Sequence, residues 1–363
     1  MITSPLALLV LLTLLVLSAC QPADDGLALQ ADYLQRLNNA VEGDAVAAFD
    51  KMALTRYRLP PRRERVATIP EVRIGLLDLL IDVRRCPALQ QQISLRNSSL
   101  GKQLVPSSRL AYEGDLLRAI DACLAYLTPE QDQKLQRMLT GLAQEKRAQL
   151  PLVFWNALNA SEEVERYLRF ADQTLPIAPA EDDAALDALA QLAAMANALP
   201  QTLPPPTTEL DPLFFALHAS PQGGQLISSL ASLTHTLNEG SRLLEQRQQR
   251  RPICPQGQAT SRGRILQNIF VKYYAGGLQP YLAQVHQRGQ PWSSSLRQLS
   301  AAAEVPAATR NYLLNLAGPG QSLWVDFQAA TSRHVRAWQD SLKSCGLAPG
   351  QSGWNGQAAN ADQ

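Results

Sequence analysis

The chain has 363 residues, of which 33 are Lys or Arg and 32 are Asp or Glu, so its formal net charge is +1. This balance gives no basis for nucleic acid or an acidic polymer as the main partner. About 340 residues follow the N-terminal apolar run, enough for one large or two ordinary domains. Beyond that run no apolar stretch approaches the length of a membrane span.

The first 20 residues predict where the protein is delivered. Residues 6–17 are almost all Leu, Val and Ala, a run too short for a stable transmembrane helix and typical of a signal peptide. Ser18 and Ala19 directly precede Cys20, which is the lipobox pattern. We therefore predict a signal peptide over residues 1–19 and acylation of Cys20. An ordinary secretory signal followed by a chance cysteine is the alternative.

Acylation would hold the mature chain at a membrane surface, because two or more acyl chains anchor a protein stably. Residues 21–23 are Gln, Pro and Ala, and none is the Asp that commonly retains bacterial lipoproteins at the inner membrane. We therefore expect the protein in the bacterial cell envelope. The outer membrane, on its periplasmic face, is favoured over the inner membrane.

The four other cysteines predict two disulfides. An even number of cysteines in an oxidising compartment indicates disulfide pairing, and four cysteines allow three pairings. We favour the pairing that is local in sequence, so that each bridge links residues within one half of the chain, and buried free thiols are the alternative. No CxxC motif occurs, so thiol exchange and zinc both lack their usual spacing. The predicted bridges are Cys86–Cys123 and Cys254–Cys345.

Apolar residues recur at helical spacing along the first half of the chain. They predict a helix over 27–54, with Gly43 as a weak point, and a second helix that begins at Pro70 and ends near position 86. Between them, residues 59–65 (LPPRRER) predict a solvated connector, because the prolines preclude a helix. Contact with lipid headgroups is the alternative for this segment.

Four further helices are predicted before position 200. One carries apolar residues over 110–124 and places a cysteine in its last turns. Thr128 and Ser161 are N-cap residues that are each followed by acidic residues in the first turn, which favours a helix start. Residues 181–199 are rich in Ala and helical by propensity.

Helical spacing continues in the second half, after a proline-rich segment. Residues 200–212 contain three consecutive prolines and predict a semi-rigid linker between two subdomains. Apolar stripes then predict helices over 226–244 and 265–281, and Gly276-Gly277 predicts a kink or a break in the latter. A last helix over 323–342 places an apolar stripe on one face.

The absence of any repeat of fixed period and of strand alternation predicts an all-α fold. We expect multi-helix, mostly antiparallel, bundle-like halves that are stapled by two disulfides. The predicted segments are a signal peptide (1–19), a lipidated linker (20–26), an N-terminal helical subdomain (27–199), a proline-rich linker (200–212), a C-terminal helical subdomain (213–345) and a disordered tail (346–363).

The histidines give little support for a metal site. His235 and Glu239 lie one helical turn apart and could supply two ligands, but helices provide such pairs often by chance. His334 lies on an apolar stripe, which favours a hydrogen-bonded core histidine. No P-loop, GxGxxG or GxSxG motif occurs, and we expect no cofactor.

Ser99 and Lys102 match SxxK, the serine–lysine element of penicillin-recognising enzymes, in which the lysine can share the proton of the nucleophile. Here the pattern contains Gly101 and follows a polar turn, which fits a loop better than the start of a helix. Neither SDN nor KTG accompanies it. An envelope hydrolase of unfamiliar type that uses these two residues is therefore an alternative hypothesis, and we lean towards a protein that is not an enzyme.

Residues 96–113 form the densest polar cluster of the chain and lie between the first two cysteines. Their side chains either satisfy backbone groups at two helix ends, or form a polar pocket or contact surface that the disulfide holds. The candidate binding residues are Arg96, Asn97, Ser99, Lys102, Arg109, Tyr112 and Glu113.

The same cluster carries a family resemblance. The motif consists of Arg96-Asn97-Ser98-Ser99-Leu100-Gly101-Lys102, Pro106-Ser107, Arg109-Leu110 and Tyr112-Glu113, and Gln279-Pro280-Tyr281 after Tyr273-Tyr274 adds to it. It resembles a proteobacterial lipoprotein family known as domain of unknown function 3080, over most of the mature chain. The resemblance implies a lipoprotein and no known activity.

Our first hypothesis is a membrane-anchored periplasmic lipoprotein that binds another envelope component through a helical or polar-loop surface without catalysis. The alternatives are the hydrolase described above and a carrier of a lipid or small ligand between its helices. The expected partners are the membrane, through the lipid on Cys20, and an envelope protein.

Overall fold

The structure, a computed structural model, describes residues 25–72, 83–99, 101–178 and 184–354. Several predictions lie outside these ranges. They are the signal peptide with Cys20, most of the helix predicted over 70–86, the first residues of the helix predicted over 181–199, and the tail beyond position 354.

The described residues are helical and include no β-strand, which confirms the all-α prediction. The helices are α1 (Gly26–Val41), α2 (Arg62–Arg65), α3 (Pro87–Asn97), α4 (Pro106–Tyr126), α5 (Pro129–Ala160), α6 (Glu162–Leu168), α7 (Ala184–Ala198), α8 (Thr207–Ala219), α9 (Gln222–Arg250), α10 (Ser261–Ile269), α11 (Gln279–Ala301), α12 (Ala307–Ala317) and α13 (Leu323–Lys343). Short 3-10 turns occur at Lys51–Tyr57, Val83–Arg85 and Gly101–Gln103. In this part of the chain, each helix is too short or too polar to cross a membrane.

The long helices α9 and α5 organise the core. α9 packs along α13 and α1, and α5 packs along α4. Leucines three and four residues apart put one continuous apolar stripe on α9, which buries it against these neighbours, as the sequence predicted. The buried stripe consists of Leu226, Leu230, Leu233, Leu237 and Leu244.

α1 runs parallel to α9. Gln30 donates from Nε2 to Ser232 Oγ at 3.1 Å in the first half of both helices. Glu42 lies 3.4 Å from the Arg247 guanidinium near their far ends. The 29 residues of α9 extend for about 43 Å. Asp25, which caps α1, therefore lies at the N-terminal end of α9, a full helix length from its C-terminal end.

The helix predicted over 27–54 ends at Val41, so its second half was predicted wrongly. The break falls beside Gly43, the weak point in the pattern. Val46 and Phe49 pack against the core from non-helical backbone. Their apolar spacing therefore reflects burial and not helix formation.

The prediction of a solvated connector over residues 59–65 is correct for residues 61–64, which are exposed, and wrong for Arg65 and for the exclusion of a helix. Arg62–Arg65 forms one helical turn directly after the two prolines, since proline is tolerated at the start of a helix. Arg65 is only 2 % exposed. Its guanidinium donates to the main-chain oxygens of Pro60 at 2.7 Å and Asn159 at 2.9 Å, which fixes the segment on α5.

Both predicted disulfides are confirmed. Cys86 and Cys123 have Cα atoms 5.4 Å apart and join the start of α3 to the last turns of α4. Cys254 and Cys345 have Cα atoms 5.1 Å apart and join the loop after α9 to the end of α13. Each bridge therefore connects helices of one half of the chain, as the local pairing predicted.

The segment predicted as a linker over 200–212 is partly helical. α8 begins at Thr207, and Glu209 in its first turn complements the positive end of the helix dipole. Arg118 donates to the main-chain oxygen of Pro204 at 2.8 Å, which ties the segment to α4. α7, which precedes the segment, packs against both α8 and α11, which follow it. The division into two subdomains here stays a prediction.

At Gly276 and Gly277 the backbone changes from α-helix to π-helix, and the helix does not break. Gly276 and Gly277 lie in a π-helix, Phe270–Leu278, that joins α10 to α11. The backbone keeps right-handed helical dihedrals at both junctions, Ile269 and Gln279. The predicted break is therefore wrong, because the helix continues through a locally widened π-helical segment. A kink at this segment stays a prediction.

Residues 346–354 correct the start of the predicted disordered tail. Leu347 is fully buried, and its main-chain oxygen accepts from Gln267 at 3.3 Å. Trp354 places its ring 6.1 Å from that of Phe270. Composition predicted disorder here because Gly and Gln dominate, but two apolar side chains dock on the core directly after Cys345.

His334 is the predicted hydrogen-bonded core histidine. It is 0 % exposed, and its Nε2 lies 2.6 Å from the hydroxyl of Tyr33. The indole N–H of Trp338 donates to that hydroxyl at 2.9 Å and to Nε2 at 3.1 Å. Nε2 is therefore an acceptor, and Tyr33 donates to it. Nδ1 therefore carries the proton and donates to Ser241, whose hydroxyl donates to Leu237 O at 2.6 Å. Burial lowers the pKa of His334 to about 3, so the ring is neutral.

Candidate functional site

A cleft of about 480 Å³ lies between α3, α4, α5 and residues 69–72. We call it the charged cleft. Its walls combine the last turn of α3, the first turns of α4 and the middle of α5. Apolar side chains supply part of the lining, and the charged and polar groups come mainly from the cluster that the sequence singled out.

Five of the seven predicted binding residues line the charged cleft: Arg96, Asn97, Arg109, Tyr112 and Glu113. They come from the end of one helix and the start of the next, which the 3-10 turn Gly101–Gln103 connects. The cluster therefore contains both residues that cap backbone groups and residues that line a cleft, and a binding role for it stays a prediction. Ser98 satisfies backbone groups, since it donates to Leu95 O and accepts from Gly101 N, whereas the residues on α4 face the cleft.

Ser99 and Lys102 do not line the charged cleft. Both are exposed, and Ser99 follows the end of α3 while Lys102 lies in the next 3-10 turn. In the part of the chain that the structure describes, no hydrogen bond joins their side chains. They lack the placement on one helical turn that the serine–lysine chemistry uses.

Glu113 is the buried charge of the charged cleft. It is 1 % exposed. Arg109 lies 3.1 Å from Oε1 and Lys146 lies 3.0 Å from Oε2. Two cations therefore compensate one carboxylate, as burial of a charge requires. Lys146 was not predicted as a cleft residue, because it lies on α5, 33 residues after Glu113, and no local pattern links the two.

Tyr112 and Arg96 supply hydrogen-bond donors at the charged cleft. Tyr112 donates to Gln92 O at 3.3 Å. Burial raises the pKa of Tyr112 to about 12, so its hydroxyl keeps the proton at neutral pH. Arg96 uses one guanidinium nitrogen to donate to Gly101 O at 2.7 Å, and its other N–H groups have no partner among the described residues.

Gly101 permits the tight return between α3 and α4. A Cβ at this position would clash with the main-chain oxygen of Leu95. The turn lies at the opposite end of α3 from Cys86, a separation of about 16 Å along the helix. The disulfide therefore does not hold this turn directly, because the bridge and the turn lie at the two ends of α3.

The weak metal pattern has other partners in the structure. His235 forms a hydrogen bond with Ala47 O at 3.0 Å, and Glu239 pairs with Arg242 at 2.7 Å. Across residues 25–72, 83–99, 101–178 and 184–354, no group of three or more His, Cys, Asp or Glu side chains could hold a metal ion.

The fold and the charged cleft define an all-α protein that is stapled by two disulfides and carries a polar site between three helices. The family model described as Protein of unknown function (DUF3080) matches residues 30–349, and the chain belongs to this family. Membership of domain of unknown function 3080, expected from the sequence, is thus confirmed, and the match covers all residues that line the cleft. Comparison with curated proteins and with solved structures gives no match.

Proposed function

We propose that the protein is a lipid-anchored component of the bacterial cell envelope whose charged cleft binds an anionic group of an envelope partner without catalysis. The observation that carries this proposal is the convergence of Arg96, Arg109, Tyr112 and Glu113 on one cleft. Concave sites with a few convergent polar groups on an apolar lining are typical of binding sites.

The charges of the charged cleft favour an anion. Arg96, Arg109 and Lys146 are cationic, and Glu113 and Glu71 are acidic, so the lining carries one positive charge in excess. Glu113 is already paired with Arg109 and Lys146. The free N–H groups of Arg96 suit a carboxylate, because a guanidinium can donate two parallel hydrogen bonds to it. An acidic side chain of a partner protein, seated on the apolar lining, fits this arrangement.

Anchoring in the envelope is supported by the lipobox and by the two disulfides. Disulfides form in oxidising compartments such as the periplasm. Intact mass measurement of the protein extracted from membranes tests the anchor. We expect an N-terminal Cys20 that carries acyl chains, and an unmodified thiol at this residue would refute this part of the proposal.

Binding is tested by site-specific photo-crosslinking in cells from position 97, which is exposed at the rim of the charged cleft. We expect a crosslinked envelope protein that is lost in an Arg96→Ala variant. Arg137→Ala is the matched control, because Arg137 is exposed on α5 and does not line the cleft. Equal crosslinking in both variants, or none in the wild type, would contradict the proposal.

The hydrolase alternative has its own test. Ser99→Ala is expected to leave labelling by serine-directed probes unchanged, because Ser99 and Lys102 are exposed on separate turns. Loss of labelling in this variant would instead favour an enzyme.

A further inference from the structure

A second cavity, of about 630 Å³, lies beside the segment that begins at Arg58. We call it the arginine cavity. Its charged lining consists of four arginines and two acids: Arg58, Arg62, Arg65, Arg169, Glu165 and Asp172. The main chain of the two prolines forms one wall, and Leu59 and Phe170 add apolar surface.

Hydrogen bonds to α5 and to Glu165 fix the wall of the arginine cavity. Arg65 donates to Pro60 O, to Asn159 O and, at 3.1 Å, to Glu165 Oε2. Asn159 donates back to Arg65 O at 2.8 Å, so the segment is fixed on α5 through side-chain and main-chain groups. The cavity is therefore formed before any ligand arrives, which lowers the entropy that binding costs.

The arginine cavity carries an excess of positive charge. Glu165 accepts from Arg65 and, at 2.6 Å, from Arg169, so its charge is already compensated. Burial lowers the pKa of Arg65 and the charge of Arg62 lowers it further, whereas Glu165 raises it. Arg58 and Arg62 are exposed, and their side chains make no hydrogen bond or ion pair within the described ranges. Asp172 offsets only one of these two charges.

The arginine cavity lies at the end of the molecule from which the N-terminal tether leaves. The N–H of Ala171 donates to Gly224 O at 3.1 Å, which places this cavity at the N-terminal end of α9. Asp172 also lines a neighbouring cavity, together with Asp25. Asp25 follows Cys20 by five positions in the sequence, and a fully extended chain of that length spans at most about 18 Å.

We propose that the arginine cavity binds a phosphate group, and that this phosphate belongs to lipid headgroups of the membrane to which the chain is tethered. The guanidinium forks of Arg58 and Arg62 match phosphate oxygens, and basic side chains near a bilayer are drawn to anionic headgroups. The headgroup source depends on the proposed acylation of Cys20, whereas the phosphate site itself depends only on the cavity. Bound headgroups would orient the tethered body against the bilayer.

The test uses the chain from residue 20 onward with Cys20→Ser, which keeps every described residue and removes the lipid. Vesicles of phosphatidylcholine with one quarter phosphatidylglycerol are sedimented with the protein. The affinity of this chain for the vesicles is compared with that of its Arg58→Gln/Arg62→Gln variant. The control is Arg250→Gln/Arg251→Gln, the same change of charge at the opposite end of α9, about 40 Å away. We expect the first double variant to weaken vesicle binding about 10- to 30-fold and the control to leave it nearly unchanged.

Equal losses in the two double variants would overturn the proposal, because they would show attraction by net charge alone. A second experiment measures thermal stability with inorganic phosphate, and it separates a lipid headgroup from a soluble compound as the source of the phosphate. Phosphate that stabilises the wild type against heat, together with vesicles that do not bind, would overturn the headgroup assignment in favour of a soluble phosphate compound. Vesicle binding through Arg58 and Arg62 with an unmodified Cys20 in cells would support the site while the proposed anchor fails.

Discussion

Replacing His334 by Gln is expected to remove most of the dependence of stability on pH between neutrality and mild acid. The imidazole is fully buried, accepts from Tyr33 and donates to Ser241. A second proton would have to enter at Nε2, where it would face the hydroxyl of Tyr33 and bury a charge without a carboxylate partner. The adjacent charge of Arg333 adds to this cost.

The direction in which stability changes with pH follows from the pKa of His334 in the unfolded and in the folded state. The pKa of an unfolded histidine is about 6.5, and burial lowers that of folded His334 to about 3. As the pH falls below the unfolded value, the unfolded state takes up a proton that the folded state does not. The contribution of His334 is therefore fully present above about pH 6.5 and is lost towards about pH 3. Between about pH 7.5 and pH 5 the loss amounts to about 2 kcal/mol.

Urea unfolding at these two pH values measures the effect. We expect the wild type and the control His218→Gln, in which an exposed histidine is replaced, to lose about 2 kcal/mol of unfolding free energy. His334→Gln should be less stable at the higher pH, because it loses packing and hydrogen bonds, but should change by less than about 0.5 kcal/mol between the two values. A variant that loses as much stability as the wild type would refute the argument.

Two further predictions concern packing and the second disulfide. Gly240→Ala would place a Cβ 2.7 Å from His334 Cε1 and should lower the free energy of unfolding by about 1–3 kcal/mol in thermal unfolding. Gly141→Ala, whose Cβ meets nothing within 4 Å, should be neutral or stabilise its helix by up to about 1 kcal/mol. Replacing Cys254 and Cys345 by Ala should cost about 2–5 kcal/mol and speed proteolysis after residue 345, whereas unchanged stability and cleavage would contradict a role of this bridge in holding the end of the chain.

Local signals predicted most of the helices correctly. Ser161 caps its helix by accepting from Val164 N at 3.1 Å, as the spacing of a side-chain oxygen and an N–H three residues later requires. Helical periodicity likewise located α9, because its leucines all bury on one face. Where one residue and its near neighbours fix the conformation, the sequence was sufficient.

The contacts that the sequence did not predict involve residues that are far apart in the chain. Arg65 looked solvated because its segment is basic and rich in proline, yet the groups that bury it, Asn159 and Glu165, lie 94 and 100 residues further on. Lys146 meets Glu113 only because α4 and α5 pack together. No local pattern encodes such pairs. The cleft residues on α3 and α4 could therefore be predicted, whereas those that α5 contributes could not.

Both cavities are built on the same helix, α5, and this limits where a partner can bind. Asn159 holds Arg65 at the arginine cavity, Gln149 donates to Pro70 O at 2.9 Å, and Lys146 reaches into the charged cleft. These contacts follow α5 over 13 residues, which is about 20 Å. If headgroup phosphates occupy the arginine cavity, the charged cleft is held within about that distance of the bilayer surface. A partner must then present its acidic group close to the membrane, which favours one that is itself membrane-bound.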